Sequence, residues 1–200
     1  RMNSAVAAIR AAENALGGAN HHIVTVQGTR DWARDLSYYD GALGHPITAG
    51  GGANVAYETH IYNSPGDFAS LLLAAPGPRT IPVILGEFGP IRPDGFHNAT
   101  VPDMQTLIDL ATANNIPYLA WTFHQYCPPN LIADTPGKTW DANSTPADWH
   151  GMPIHPTDFG QLLKDNLLAA APALLNTSFN YNVTSTDDNV VRPATAQVTR

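Results

Sequence analysis

The chain has 200 residues, 44% of them hydrophobic and only 14% charged, a balance that supports a packed core and excludes wholesale disorder. Ten Lys and Arg against seventeen Asp and Glu give a net charge of −7, which disfavours nucleic acid and anionic membranes as partners and leaves a neutral or cationic ligand. The longest apolar stretches, Leu71 to Ala75 and Leu167 to Ala171, each run into a proline, far short of the roughly 20 residues that span a bilayer.

In chain order, Ser4 reads as the cap of a first helix in which Val6, Ile9 and Leu16 separate from Arg10 and Glu13, with Gly17-Gly18 ending it. Arg10 and Glu13 also interrupt any apolar signal-peptide core within residues 1 to 20, so a secreted protein would carry its signal outside this chain. His22 to Gln27 is a β-branched run stopped by Gly28, and Asn54 to Tyr62, Ile81 to Phe88 and Pro117 to Phe123 read as three further strands. Helices are expected at Asp67 to Ala75 and at Pro102 to Asn114, the latter with Met104, Leu107, Ile108 and Ala111 on one face. Thr157 begins the last helix, with Phe159, Leu162, Leu163 and Leu167 on its apolar side.

Near-continuously apolar strands alternating with amphipathic helices give an α/β class with a parallel sheet. A complete eightfold β/α barrel takes roughly 250 residues and eight strands, so four strands mean an open sheet or an incomplete barrel. The first domain is set at residues 1 to 175. Residues 176 to 200 turn Asn- and Thr-rich, with Phe179, Tyr181 and Val183 alternating, and form either a linker or an added strand. Between Gln125 and Pro156 lies a long aperiodic stretch with five internal prolines and with Trp140 and Trp149, which suits a functional loop.

Cys127 cannot pair internally and is read as a small buried hydrophobe. Sequons at Asn98, Asn143, Asn176 and Asn182 would permit glycans on an exported glycoprotein. His21-His22 and the pair His150 and His155 lack the compact spacing of a zinc site, and no metal or other cofactor is expected. Ala49 to Ala53 is glycine-rich but leads into a strand rather than a helix, unlike a phosphate loop, and no Gly-x-Ser-x-Gly elbow is present.

Two of the three glutamates fall on expected strands. Twofold alternation places Ala56, Glu58, His60 and Tyr62 on one face of the second strand, and a polar row on a buried strand must face a cavity or be buried at a cost. Glu87 ends the third strand between Gly86 and Gly89, where catalytic groups sit in parallel barrels, and Trp121 offers a flat apolar surface near the end of the fourth.

On these segments the chain resembles the C-terminal half of glycoside hydrolase family 5, the cellulases and mannanases. Tyr57-Glu58-Thr59-His60-Ile61-Tyr62 looks like that family's sixth-strand segment and Ile84 to Gly89 like the seventh-strand segment holding the nucleophile. Leu119 to Phe123 is similar to the eighth strand with its sugar-stacking Trp, and His22 to Trp32 to the fifth strand and its loop. The resemblance spans roughly residues 1 to 170. It implies a secreted TIM-type barrel enzyme that hydrolyses a β-1,4-linked polysaccharide with retention. By it Glu87 is the nucleophile, His60 and Tyr62 position or polarise it, and Trp121 binds sugar, with Trp32 and His124 as further substrate contacts.

The family's acid/base, the Glu of an Asn-Glu-Pro segment, has no counterpart here, although a retaining glycosidase needs two carboxylates roughly 5 to 5.5 Å apart. Glu58 lies two residues before His60, roughly 6.6 Å deeper along the strand. That depth suits a partner in the hydrogen-bond network beneath the substrate better than a proton donor. Alone, the chain is expected to be inactive, and its first and fourth strands to need the missing N-terminal half or a second copy to cover their edges. A non-catalytic carbohydrate-binding or structural glycoprotein derived from such a fold is the competing reading.

Overall fold

Four short strands carry the architecture: β1 (Val24–Gln27), β2 (Val55–Ile61), β3 (Val83–Phe88) and β4 (Tyr118–Ala120), all parallel, in the order β1-β2-β3-β4. The structure is a computed structural model describing residues 1–17, 21–30, 32–73, 79–90, 99–125, 127–133 and 154–170, and the backbone of 180–184 and 191–195. Among the described residues the sheet is open, so the expected α/β class holds and no closed barrel is seen. Helices α1 (Met2–Ala15), α2 (Phe68–Leu72), α3 (Val101–Ala113) and α4 (Asp158–Ala170) alternate with the strands, and 3₁₀ turns at Ala49–Gly52 and Pro65–Asp67 lead into β2 and α2.

Chain contacts divide the molecule into Arg1–Gln161, which holds the sheet, and Leu162–Arg200. The second unit contains the rest of α4 and an antiparallel pair, β5 (Asn180–Thr184) with β6 (Val191–Thr195). Among the described residues, β5 and β6 both lie within residues 176 to 200.

One face of the sheet is covered. Val24 and Val26 of β1, Val55 and Tyr57 of β2 and Val83 of β3 pack with Val6 of α1 and with Leu36, Tyr39 and Ile47 of the β1–β2 connection. The Tyr57 hydroxyl accepts the Ile47 amide at 2.6 Å, which pins that connection over the sheet. Leu85, Phe88, Phe68 and Leu72 are buried with Met104, Leu107, Ile108 and Ala111 of α3, the four positions expected from its helical spacing. Phe159 of α4 meets Phe88 edge-on at 5.8 Å.

Several local expectations are corrected. Helix α1 begins at Met2, and Ser4 lies inside it without capping it. Ile9 and Leu16 are exposed, whereas Arg10 is only 3% exposed. The reason is a partner set that amphipathic spacing does not reveal: Arg10 donates to the Glu13 carboxylate at 2.6 Å and to the Ala53 and Asn54 carbonyls, both at 3.1 Å, just before β2. Strand β4 ends at Ala120 instead of Phe123. Trp121 N–H still donates to Phe88 O, but Thr122 N–H turns to Pro129 O, so the chain leaves the sheet for its own loop. Helix α2 stops at Leu72, and Leu167 of α4 is exposed.

Candidate functional site

The C-terminal ends of the four strands converge on one cleft of about 360 Å³. Trp32 to Arg34 come from the loop after β1, His60 and Tyr62 from the end of β2, Glu87 from β3, Trp121 from just beyond β4, and Cys127 to Pro129 from the following loop. Parallel strands all point their carbonyl ends the same way, so side chains from distant parts of the sequence meet there.

Glu87 reaches the cleft through an irregularity in β3. Thr59 pairs with Leu85 and His60 with Glu87, so Gly86 is an extra residue on β3. The same extra residue appears against β4, where Leu85 pairs with Tyr118 and Phe88 with Ala120. Strict alternation would put Glu87 on the face of Leu85, which is fully buried. The bulge carries it to the face of His60 while Phe88 returns to the core.

The carboxylate is held from two sides. Tyr62 donates its hydroxyl to Glu87 Oε1, and His60 Nδ1 faces Glu87 Oε2 at 3.3 Å. The other ring nitrogen, His60 Nε2, lies 3.4 Å from Glu58 Oε1. Glu58, His60 and Glu87 therefore form a file, with side chains 15%, 13% and 24% exposed. A neutral imidazole carries one N–H and an imidazolium two, so the file is satisfied when its three groups share two protons between their two contacts. With Tyr62 and His60 on its flanks, the Glu87 carboxylate is fixed in direction and open to the cleft, the condition for attack on an electrophilic carbon.

Trp121 is 40% exposed and Trp32 79% exposed, and both line the cleft. Trp32 and Ala33 take φ values of 56° and 65°, a left-handed pair that non-glycine residues rarely adopt and that this loop retains at the cleft wall. The loop closes through Gly28 N–H to Glu58 O and Thr29 N–H to Asp35 O. On the opposite wall Gly89 lets Pro129 approach, since a Cβ there would come 2.3 Å from Pro129 Cγ. The Trp121–Thr122 and Pro128–Pro129 peptides are cis.

The site residues expected from sequence divide in two. Glu87, His60, Tyr62, Trp121 and Trp32 meet in the cleft, with Glu58 behind His60 rather than on the lining; His124 is exposed and does not line it. Sequence reasoning missed Gln27, Arg34 and Pro128-Pro129, and gave Cys127 a purely packing role although it lines the cleft half-buried. The expected strand face of β1 could have pointed to Gln27; nothing in the sequence marked Arg34. Trp140, Trp149, His150 and the sequon asparagines 98, 143 and 176 lie outside the described residues, while Asn182 falls on β5. His21 contacts Asn14 and His22 contacts Glu13. Among the described residues no group of three or more His, Cys, Asp and Glu side chains is arranged to hold a metal ion.

No family model matches the chain. No curated relative matches it either. Among solved structures it is similar to a β-glucanase of Saccharophagus degradans, SdGluc5_26A, in its complex with cellotetraose, at 20% identity and a TM-score of 0.52. The native form of the same enzyme gives 19% and 0.54. In both, 84% of this chain is covered and 47% of the glucanase, so the chain spans about half the length of these neighbours. Its described fold is similar to that of part of this β-glucanase.

Proposed function

We propose that this chain is the nucleophile-bearing half of a secreted, retaining β-glycanase that cleaves β-1,4-linked glucan. The observation that carries the reading is the Tyr62–Glu87–His60 cluster, set at strand ends in a cleft with Trp121 beside it. In this mechanism a Glu87 oxygen attacks the anomeric carbon, the glycosidic C–O bond breaks, and a proton donor outside the residues described here protonates the leaving oxygen. Water then reopens the glycosyl ester. Tyr62 and His60 keep the carboxylate aimed, and Trp121 stacks against the apolar face of a pyranose ring. The cellotetraose complex of the neighbouring glucanase supports a linear β-glucan as the substrate class.

The test avoids the need for a proton donor. 2,4-Dinitrophenyl 2-deoxy-2-fluoro-β-cellobioside releases a phenolate that departs unprotonated, while the fluorine slows hydrolysis of the ester. The protein is expected to gain one fluorocellobiosyl group on the peptide containing Glu87, read by mass spectrometry, and Glu87→Gln to gain none. Labelling elsewhere, or undiminished in Glu87→Gln, overturns the assignment. The exposed Trp32 and Trp121 also suit a protein that only binds sugar. Cellotetraose binding by calorimetry with no labelling of Glu87 would favour that second reading.

A further inference from the structure

We infer that Glu58 and Gly86 act together as positioning residues for His60, and through it for the Glu87 carboxylate; this rests on the reading of Glu87 as nucleophile. Glu58 is mostly buried on a strand whose other residues, His60 apart, are apolar or hydroxyl-bearing, and a carboxylate there is costly without a partner. Its side-chain partner is His60 Nε2. An imidazole held only at Nδ1 can turn about its Cβ–Cγ bond and present carbon to Glu87. A second contact at Nε2, on the opposite edge, fixes the ring with Nδ1 towards Glu87 Oε2.

Gly86 keeps Glu58 in place. A Cβ at this position would lie 2.8 Å from Glu58 Oε2, 2.9 Å from its Cβ and 3.0 Å from its Cδ. The Glu58 side chain thus runs across the bare backbone of the residue that also makes the β3 bulge. One glycine aims Glu87 directly and seats the support behind His60.

Trapping of Glu87 by the fluorinated cellobioside separates positioning from packing. Glu58→Met retains volume and loses the acceptor, whereas Glu58→Gln retains an acceptor oxygen. In Glu58→Met the saturating first-order trapping rate is expected to fall on the order of tenfold, as when an orienting partner is removed. The half-saturating concentration should stay within about twofold, the pattern of a lost transition-state interaction. Glu58→Gln should recover the rate to within about threefold of the parent, because the contact to His60 is remade. Gly86→Ala should slow trapping as Glu58→Met does, and the double variant should be no slower than either alone, because the two residues form one device.

A Glu58→Met rate equal to the parent's, or a Glu58→Gln rate as low as Glu58→Met, overturns the inference. If the parent is not trapped at all, the proposed function fails, and the ring ¹⁵N resonances of His60 then decide this point separately. A changed Nε2 resonance in folded Glu58→Met supports the contact, and an unchanged one overturns it.

Discussion

Arg10 shows how a single side chain can join elements that share no strand pairing. Buried at the inner side of α1, it pairs with Glu13 on the same helix and ties that helix to two carbonyls ahead of β2. Arg10→Met keeps the aliphatic stem but removes the donors to Glu13, Ala53 O and Asn54 O, and a lower urea midpoint is expected. Glu13 is held down at about 2, below its ordinary 4.5, first by the His22 backbone N–H and next by the Arg10 guanidinium. A carboxylate lowered on folding stabilises the native state fully above its unfolded value and loses that contribution as pH falls towards the folded one. The stability advantage of the parent over Glu13→Gln should therefore shrink between pH 4.5 and pH 2 in urea midpoints, and a constant difference would contradict the shift. Glu87 and Arg10 are also where sequence reading reached its limits. Glu87 was found from its glycine neighbours and strand-end position, yet the face it occupies depends on a bulge that alternation cannot show. Arg10 looked like a solvated polar residue because its carbonyl partners lie more than forty positions away.

Elements with strong local signals were legible. Helix α3 has its four buried positions at the expected spacing and begins in a capping box: Thr100 receives the Asp103 N–H on its side chain, and Asp103 receives the Thr100 N–H at 2.7 Å. The Thr100 hydroxyl and amide hold the Asp103 carboxyl below the usual range. Thr100→Ala should cost about 1 kcal/mol by chemical denaturation. The second helix contact is less forgiving. Gly160 of α4 lies against the Leu131 carbonyl, 1.8 Å from where a Cβ would stand, so Gly160→Ala must push the helix off its seat. A fall of several degrees in Tm is expected, on the order of 2 kcal/mol for overpacking. What the sequence hid at this scale was strand length: β4 is three residues because its successors bond to Pro129 and its loop, a non-local exchange without a local signature.

At the scale of the whole molecule, an open four-stranded sheet leaves β1 and β4 as margins among the described residues. Val24 N–H and Gly28 N–H both bond towards β2, so the intervening alternation turns Thr25 and Gln27 outward. Unpaired edge groups invite another strand. The 200-residue polypeptide is expected to self-associate with rising concentration in light scattering, and Thr25→Pro, which blocks an outward N–H at an edge that tolerates proline, to shift it towards monomer. A monomer at all concentrations would argue against strand-edge pairing. The α/β class and the count of parallel strands were readable because buried strands are near-continuous apolar runs; the arrangement of the tail was not, since Phe179, Tyr181 and Val183 marked one strand and nothing marked its partner at Val191–Thr195.

The supernumerary glycine of β3 makes parity matter. With an odd residue inserted, an acidic group reaches solvent that a regular pleat would have driven into the oily interior. Were Gly86 taken up in the pleat instead, Glu87 would face Ile61 and the outcome would be reversed with no new chemistry introduced. Substitution scans of the cleft can therefore leave every reacting group intact and still overlook the most sensitive variable of the strand, which is whether its extra residue stands out of the ladder.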